Sequence, residues 1–439
     1  MIESPYDEHF VSWFRAVTPY VNAFRGRTFV IAFGGKAVAS EFAKTLAYDV
    51  NLLVSLGIRL VLVHGARPQI EEELREKNLQ SKYHRGYRVT DAETLNCVLD
   101  AVGSVYLEIE AMLSQGLPNT PMANSRIRVI GGNFITGQPI GVLDGIDMHY
   151  AGKVRKVDGE GINAQLARGT IVLLNCEGPS PTGEIFNLQM EEVAEAVSIA
   201  IKADKLVFLA DSQGVTDPSG KLLDAMTADD VANLTKSGEW LSADVRRYLP
   251  CAVRASRYGV GRVHLIGFEQ DGSLLRELFT HDGVGTVITR ESLELIREAR
   301  PDDIGGLVTL IEPLEGEGIL VHRPRELLER EIRQFSIMEH DGIIVGCAAL
   351  YRHSDDEAEL ACLAVSPEHR EGGYGEQLMR RIERRAKKAG IKRLLVLTTS
   401  TEHWFVERGF KRGTVDDLPA RKRDMYNYQR RSKVLFKTL

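Results

Sequence analysis

The chain has 439 residues, 44% of them hydrophobic, and a formal net charge of −6. Such a length predicts two or three domains with sizeable cores, and the acidic balance offers no global basic field to recruit nucleic acid. No run approaches the about eighteen consecutive apolar residues of a membrane span, and the opening MIESPYDEHF lacks the apolar stretch of a secretion signal.

Residues 28–288 alternate short β-rich runs with helical patterns. TFVIAFGG, LVLVHGA, IRVIGG, TIVLLNC, LVFLAD and RVHLIGF each end in glycine or a polar turn, and helical spacing fills 39–56, 92–115 and 188–202 between them. Wholly apolar strands alternating with helices imply an α/β domain whose parallel sheet is covered on both faces. A short charged hinge is expected at 289–303. From 304 onward an α+β unit follows. The pattern predicts strand 319–323, helix 324–334, strands 335–340, 342–351 and 357–365, a Gly-rich turn, helix 376–388, strand 393–399, helix 401–408 and a last strand over 425–435.

The Gly-rich turn carries the most functional information. Residues 359–375 read ELACLAVSPEHREGGYG: an apolar strand, a stop at Ser366-Pro367, then Arg370, Glu371, Gly372, Gly373, Tyr374 and Gly375 before a helix. Backbone N–H groups of such a turn and the positive end of the helix dipole form an anion site, and glycines let the main chain approach a phosphate closely. The ligand is expected to carry a pyrophosphate. A nicotinamide dinucleotide site needs an acidic ribose ligand about twenty residues on, and IKRLLVLTTS (391–400) supplies none. The five cysteines, at 97, 176, 251, 347 and 362, form no C-x-x-C pair, which suits a reducing cytoplasm. The eleven histidines show no metal-binding spacing, and no metal is expected.

Arg370-x-x-Gly373-x-Gly375, after a strand ending Leu363-Ala364-Val365-x-Pro367, resembles the acetyl-CoA signature of the GNAT acetyltransferases. The first half resembles the amino acid kinase fold through Gly34-Gly35, Val63-His64-Gly65, LADSQGVTDP (209–218) and ELFTHDGVGTVI (277–288). Kinases of that fold carry a lysine before the first glycine pair and another late in the domain. This chain has Ala32-Phe33-Gly34-Gly35 and LPCAVRASRYG (249–259) there, with Lys36 only after the glycines. Phosphoryl transfer depends on such cationic clamps, so kinase chemistry is expected to be lost. The combination, with HWFVERGF (403–410) and YNYQRRSKVL (426–435), resembles the bacterial N-acetylglutamate synthase family over nearly the whole chain.

The resemblance implies an amino-acid-kinase-like, three-layer parallel-sheet domain over 1–288 that binds arginine, and an α+β GNAT domain over 304–439. It implies acetyl transfer from acetyl-CoA, a co-substrate, to L-glutamate, as the first step of arginine biosynthesis. Feedback inhibition by L-arginine and a cytoplasmic homo-hexamer belong to the same expectation. Two alternatives stand beside it: a bifunctional enzyme that also phosphorylates acetylglutamate, and an acetyltransferase for another amine with an amino-acid sensor domain.

By the same resemblance, Cys362, Leu363 and Val365 make main-chain contacts to acetyl-CoA, and 370–375 take its pyrophosphate. Cys362 otherwise reads as a small core residue. Glu359 is the expected general base, taking the ammonium proton directly or through water, or else an exposed strand end. Phe405 stands where many members carry a proton-donating tyrosine; the resemblance makes Thr398 the first choice to protonate the thiolate, with Ser400, water, Tyr426 and Tyr428 as alternatives. Glutamate has two carboxylates, which arginine forks match; Arg323, Arg421 and Arg430 are the candidates, with Cys362 and Thr398 beside them. The family's arginine pocket maps onto Lys202, His264, Glu277, Gly283 and Gly285, and its N-terminal helix onto roughly 7–25, where Phe10, Phe14 and Val17 make an apolar stripe.

Overall fold

The computed structural model describes residues 8–116, 118–235, 238–280, 283–290, 294–340, 342–424 and 426–439. The chain divides into two compact units, 1–291 and 292–439.

The first unit is built on an eight-stranded sheet. Its order is Ala225–Thr227, Thr286–Thr289, Arg262–Gly267, Lys205–Ala210, Thr28–Phe33, Arg59–His64, Ile171–Leu174 and Val129–Ile130. Thr28–Phe33 and Lys205–Ala210 are buried along their whole length, as their apolar runs require when helices cover both faces. The covering helices include Phe42–Ser55, Ala92–Leu113, Met190–Ala200 and Ala243–Arg257. Polar caps fix several helix starts: Asp91 accepts from the Thr94 N–H, and Asp158 from that of Gly161. All neighbouring strands are parallel except Arg262–Gly267 and Thr286–Thr289, which are antiparallel. IRVIGG contributes only Val129–Ile130 to the sheet.

The second unit is a seven-stranded sheet ordered Glu294–Glu298, Phe335–His340, Ile343–Arg352, Glu357–Val365, Arg393–Thr398, Lys433–Thr438 and Lys411–Gly413. Only Glu357–Val365 and Arg393–Thr398 run parallel. Helix Ile304–Gly316 packs on one face of the sheet, with Leu307 and Ile311 in the same cluster as Phe335 and Cys347. Helix Tyr374–Lys388 covers the other face through Leu378, Ile382 and Ala386, at the four-residue spacing of one helix face.

Three segments depart from the pattern read in the sequence. Residues 319–323 are not a strand. Gly318, at φ 72°, ends helix Ile304–Gly316, and the N–H groups of Ile319 and Leu320 turn back to the Leu314 carbonyl. The Arg323 N–H goes to the Glu315 carboxylate, which leaves this segment no ladder partner. The last strand is Lys433–Thr438 and does not start near 425, because Asn427 Oδ1 accepts from the N–H groups of Gln429 and Arg430 and closes a turn. Residues 294–298, placed within the hinge, pair with 336–340 as an edge strand, and Arg297 locks it with paired bonds to Asp303 and one to Glu339.

Leu378 is fully buried between the helix and the sheet, close against Gly346. Leu378→Ala is expected to destabilise the second unit by about 2–5 kcal/mol. A urea titration that follows this unit checks it, and an unchanged midpoint would contradict this packing.

Candidate active site

The site begins where pairing stops. Glu357–Val365 and Arg393–Thr398 pair only across Glu357–Glu359 and Arg393–Leu395. Beyond that point Leu360–Val365 bonds only to Ile343–Arg352, and Val396–Thr398 only to Lys433–Leu435. The two facing strand edges therefore splay and leave backbone N–H and C=O groups free to hold an extended ligand. A bulge accompanies the splay. Cys347 pairs with Ala364 and Ala349 with Ala361, so Cys362 and Leu363 together oppose Ala348. Cys362 takes the left-handed backbone at φ 50°, a conformation rare outside glycine.

The strand then stops at Ser366, whose N–H reaches the Val345 carbonyl. Pro367–Gly372 form a 3-10 turn, and Gly373, at φ 71°, reverses the chain into helix Tyr374–Lys388. Gly375 faces the indole of Trp404, where an added Cβ would stand 3.4 Å from the ring. The Arg408 guanidinium covers that indole, 4.1 Å from its centroid. The side chains of Arg370, Glu371 and Arg421 lie outside the described residues, as does any side-chain account of Gly372 and Phe10.

Glu359 is buried, and its Oε2 accepts from His353 Nε2 at 3.1 Å and from Lys422 Nζ at 2.8 Å. Burial pushes its carboxyl up, but the His353 hydrogen bond and the Lys422 charge outweigh that and hold it below the usual carboxylate range. Alternation puts Glu359 on the face opposite Ala358 and Leu360, which pack on helix Tyr374–Lys388. Tyr351, its register partner, donates from its hydroxyl to Glu331 at 2.9 Å. Arg323 stands close to this group: burial pulls its pKa down, but Cys362, Tyr351 and Glu359 nearby raise it overall. Arg430 donates to the Ile319 carbonyl, and burial, with the charge of Arg323, lowers its pKa. Arg323 thus stands near Glu359 and Cys362, and Arg430 near Arg323. The structure puts Thr398 elsewhere. This residue follows Leu394 and Val396 on the helix face, accepts from the Thr401 N–H at 3.1 Å and bonds the Thr401 hydroxyl at 2.8 Å.

In the first unit, Glu277 is buried with its carboxylate saturated. Oε1 accepts from His264 Nδ1 at 2.6 Å, and Oε2 from the N–H groups of Val284 and Gly285 at 2.7 and 3.0 Å. Gly283 is left-handed, and a Cβ there would meet Glu277 Oε2 at 2.6 Å, so only glycine fits. Lys202 is exposed and takes the left-handed backbone at φ 53°. Lys205, which the sequence reading passed over, joins His264 and Glu277: Nζ lies 3.2 Å from His264 Nε2 and 5.1 Å over the Phe24 ring at the end of helix Glu8–Phe24. Burial, helped by Arg262, pulls the Lys205 pKa down to about 7. Burial and Lys205 pull His264 down to about 4, against the raising effect of Glu277. The imidazole is therefore neutral near neutrality, donating from Nδ1 and accepting at Nε2. The one available signal for Lys205 was a cation opening the apolar strand KLVFLA.

A cavity of about 390 Å³ opens beyond the strand ends of the same unit, bordered by Gly34, Gly35, Lys36, Gly65, Arg67 and Asp211. Lys36 Nζ is bound to Asp211 at 2.6 Å, so the lysine that follows the glycine pair is already engaged. Among the described residues no group of three or more His, Cys, Asp or Glu is placed to hold a metal, and no helix is long and apolar enough to cross a membrane.

Residues 27–267 match the amino acid kinase family and 307–410 the GNAT acetyltransferase family. The amino-acid acetyltransferase of Ralstonia nicotianae is 51% identical, over 99% of this chain and 97% of that protein. The enzyme of Pseudomonas fluorescens is 50% identical, over 98% and 99%. The chain belongs to the amino-acid acetyltransferases. A crystal structure of N-acetylglutamate synthase from Neisseria gonorrhoeae, complexed with coenzyme A and L-arginine, matches with a TM-score of 0.90 and 41% identity over 98% of this chain and 99% of that one. The same enzyme with coenzyme A and N-acetyl-glutamate gives a TM-score of 0.63, at the same identity and coverage. In an amino-acid acetyltransferase acetyl-CoA is the acyl donor. Sequence reasoning missed His353 and Lys422, the two partners of Glu359, because neither lies in a recognisable motif.

The His264 environment sets a pH dependence. Its folded pKa lies below the ordinary value of about 6.5, so the stability it contributes is present above that pH and is lost as pH falls towards about 4. Urea midpoints of the first unit should drop across that window, and His264→Gln should flatten the drop. Part of it should persist through His64, which burial also pulls down to about 4. Identical slopes in parent and variant would remove His264 as the cause.

Proposed function

We propose that this acetyltransferase moves the acetyl group of acetyl-CoA onto the α-amino group of L-glutamate, releasing CoA and N-acetyl-L-glutamate, as the first step of arginine biosynthesis. The reading rests on one observation. Arg323 and Arg430 lie within each other's field beside Glu359, and neither forms an ion pair among the described residues. Two cations held together at a partly buried site favour a ligand that brings two carboxylates.

The direction of transfer follows from the two faces of the sheet. CoA lies along the splay, its pyrophosphate at Arg370–Gly375 and its pantetheine against the free edge of Cys362, Leu363 and Val365. The amino acid enters from the face that carries Glu359. Its ammonium gives a proton to the Glu359 carboxylate, which the site keeps ionised, with His353 in place to pass the proton on to water. The free amine attacks the thioester carbon, backbone N–H groups of the splay hold the oxyanion, and the tetrahedral intermediate expels the thiolate. Thr398 borders the splay on the other face, where the thiolate leaves, and is our assignment for its proton donor.

The first unit is read as the seat of L-arginine, acting as feedback inhibitor, with Glu277 as the carboxylate for its guanidinium. The saturated Glu277 supports this. An incoming guanidinium replaces the hydrogen bonds of His264 or of the 284–285 backbone, which couples the ligand to strand Arg262–Gly267 and, through Lys205, to Phe24. Exposed Val11, Trp13 and Phe14 on helix Glu8–Phe24 fit a contact between subunits of a cytoplasmic homo-oligomer, a hexamer by family resemblance.

Thiol release from acetyl-CoA with a panel of amino acids tests the reading. Glutamate should be the preferred acceptor, and turnover confined to other amines would overturn it. Glu359→Gln should lower kcat by about a hundredfold, least at high pH where the amine loses its proton unaided. Arg323→Ala should raise the glutamate KM by about tenfold or more. Glu277→Ala should raise the arginine concentration for half-inhibition by about tenfold; unaltered inhibition would move the effector site elsewhere.

A further inference from the structure

The second unit contains two cysteines, and the fold sets them in one cluster on the same face of the sheet. Cys347 and Cys362 stand on adjacent antiparallel strands, diagonal to one another across the bulge, and share the cluster under helix Ile304–Gly316. Cys347 is wholly buried, and its Sγ lies 3.4 Å from the Cys362 carbonyl oxygen. Neither is in a disulfide. Directly opposed Cα atoms of antiparallel strands are about 4.5–5.5 Å apart and diagonal ones about 7–8 Å, and a disulfide spans up to about 7 Å, so closing the bond between this pair needs the bulge to shift. The left-handed backbone of Cys362 is what turns its side chain to the Cys347 side, since the extra bulge residue shifts the alternation.

The chemistry of the pair is asymmetric. The neighbouring Cys362 sulfur together with burial raises the Cys347 pKa. The Cys347 thiol, helped by Arg323 and opposed by burial, lowers the Cys362 pKa. One sulfur is thus inclined to the thiolate, and the other keeps its proton beside it, the arrangement of an attacking and a resolving thiol.

We propose that Cys347 and Cys362 form a reversible disulfide when exposed to hydrogen peroxide, and that this bond shuts off acetyl transfer. Cys362 loses its proton, and its sulfur attacks one peroxide oxygen. The O–O bond breaks, leaving a sulfenic acid at Cys362 and a hydroxide that takes up the released proton as water. Cys347 then attacks the Cys362 sulfur. The S–S bond forms, the S–O bond breaks, and the departing hydroxide leaves with the Cys347 proton as a second water. The two thiols are oxidised by two electrons and the peroxide is reduced. The bond fastens the bulge from which the splay opens, and thereby displaces the backbone edge that holds the thioester. Strained cross-strand disulfides are the readily reduced kind, so thiol reductants return the free pair.

The test uses the purified full chain treated with hydrogen peroxide. Proteolysis without reductant, followed by mass spectrometry, should yield peptides joined through Cys347 and Cys362. Thiol release should fall by at least about tenfold and recover with dithiothreitol. Cys347→Ala should retain its rate before oxidation, and after peroxide should lose it irreversibly, because the Cys362 sulfenic acid lacks a resolving thiol and oxidises further. Absence of the 347–362 linkage in the parent overturns the proposal, as does a linked protein with full activity or a variant that dithiothreitol restores as well as the parent. The linkage measurement needs no assumption about the substrate, so a wrong acceptor assignment and a wrong disulfide give separate results.

Discussion

The second unit depends on a parallel ladder that ends after three residue pairs. A sheet that paired Glu357–Val365 with Arg393–Thr398 along their whole length would satisfy every backbone group internally and offer a ligand nothing. The bulge at Cys362 and Leu363 prevents this by bending one strand away from the other. The same departure fixes the register of everything around it. Glu359 stays on one face, Leu363 and Val365 move to the helix face, and the strand leads into the 3-10 turn and Gly373. Local backbone irregularity here is therefore the origin of the site's architecture.

The electrostatics follow from burial. A carboxylate as enclosed as Glu359 would ordinarily be driven to protonate. His353 and Lys422 reverse the outcome and hold the group below the usual carboxylate range. Arg323 and Arg430 show the opposite case, two like charges with no carboxylate bound to them among the described residues. The first unit solves a similar problem with a chain of neutral and charged groups, Lys205 to His264 to Glu277 to the backbone of 284–285, in which each donor has one acceptor. That chain connects the sheet to the aromatic contacts of Phe24 with Phe29 and Phe279, 5.3 and 5.6 Å apart.

Much of this was legible in the sequence. Apolar runs marked the central strands of the first unit, and the spacing of Leu378, Ile382 and Ala386 marked the face of the helix after the glycine turn. The turn itself was legible because glycine identity reports backbone geometry directly, as Gly373 shows. What escaped was set by contacts remote in sequence or by side chains that take over backbone groups. Glu315 and the Leu314 carbonyl claim the N–H groups of 319–323, and Asn427 those of 429 and 430, so two β-like runs lack a ladder. Glu294–Glu298 looked like charged connecting chain because an edge strand anchored by Arg297 needs little apolar character. The antiparallel pairing of Thr286–Thr289 with Arg262–Gly267 was not legible, since composition does not encode direction. Lys205 and Lys422 were invisible as site residues because a lone lysine ordinarily signals a solvated surface.

Trp404 has a significance beyond packing. The chain has three tryptophans, at 13, 240 and 404, and the last is the single indole of the second unit. It sits between Gly375 and the guanidinium of Arg408. An indole's emission responds to nearby charge and to water, so the Gly-rich turn has an intrinsic optical reporter beside it. A change in the surroundings of that turn can accordingly be followed without a label, and a version of the protein keeping only this tryptophan would report from the second unit alone.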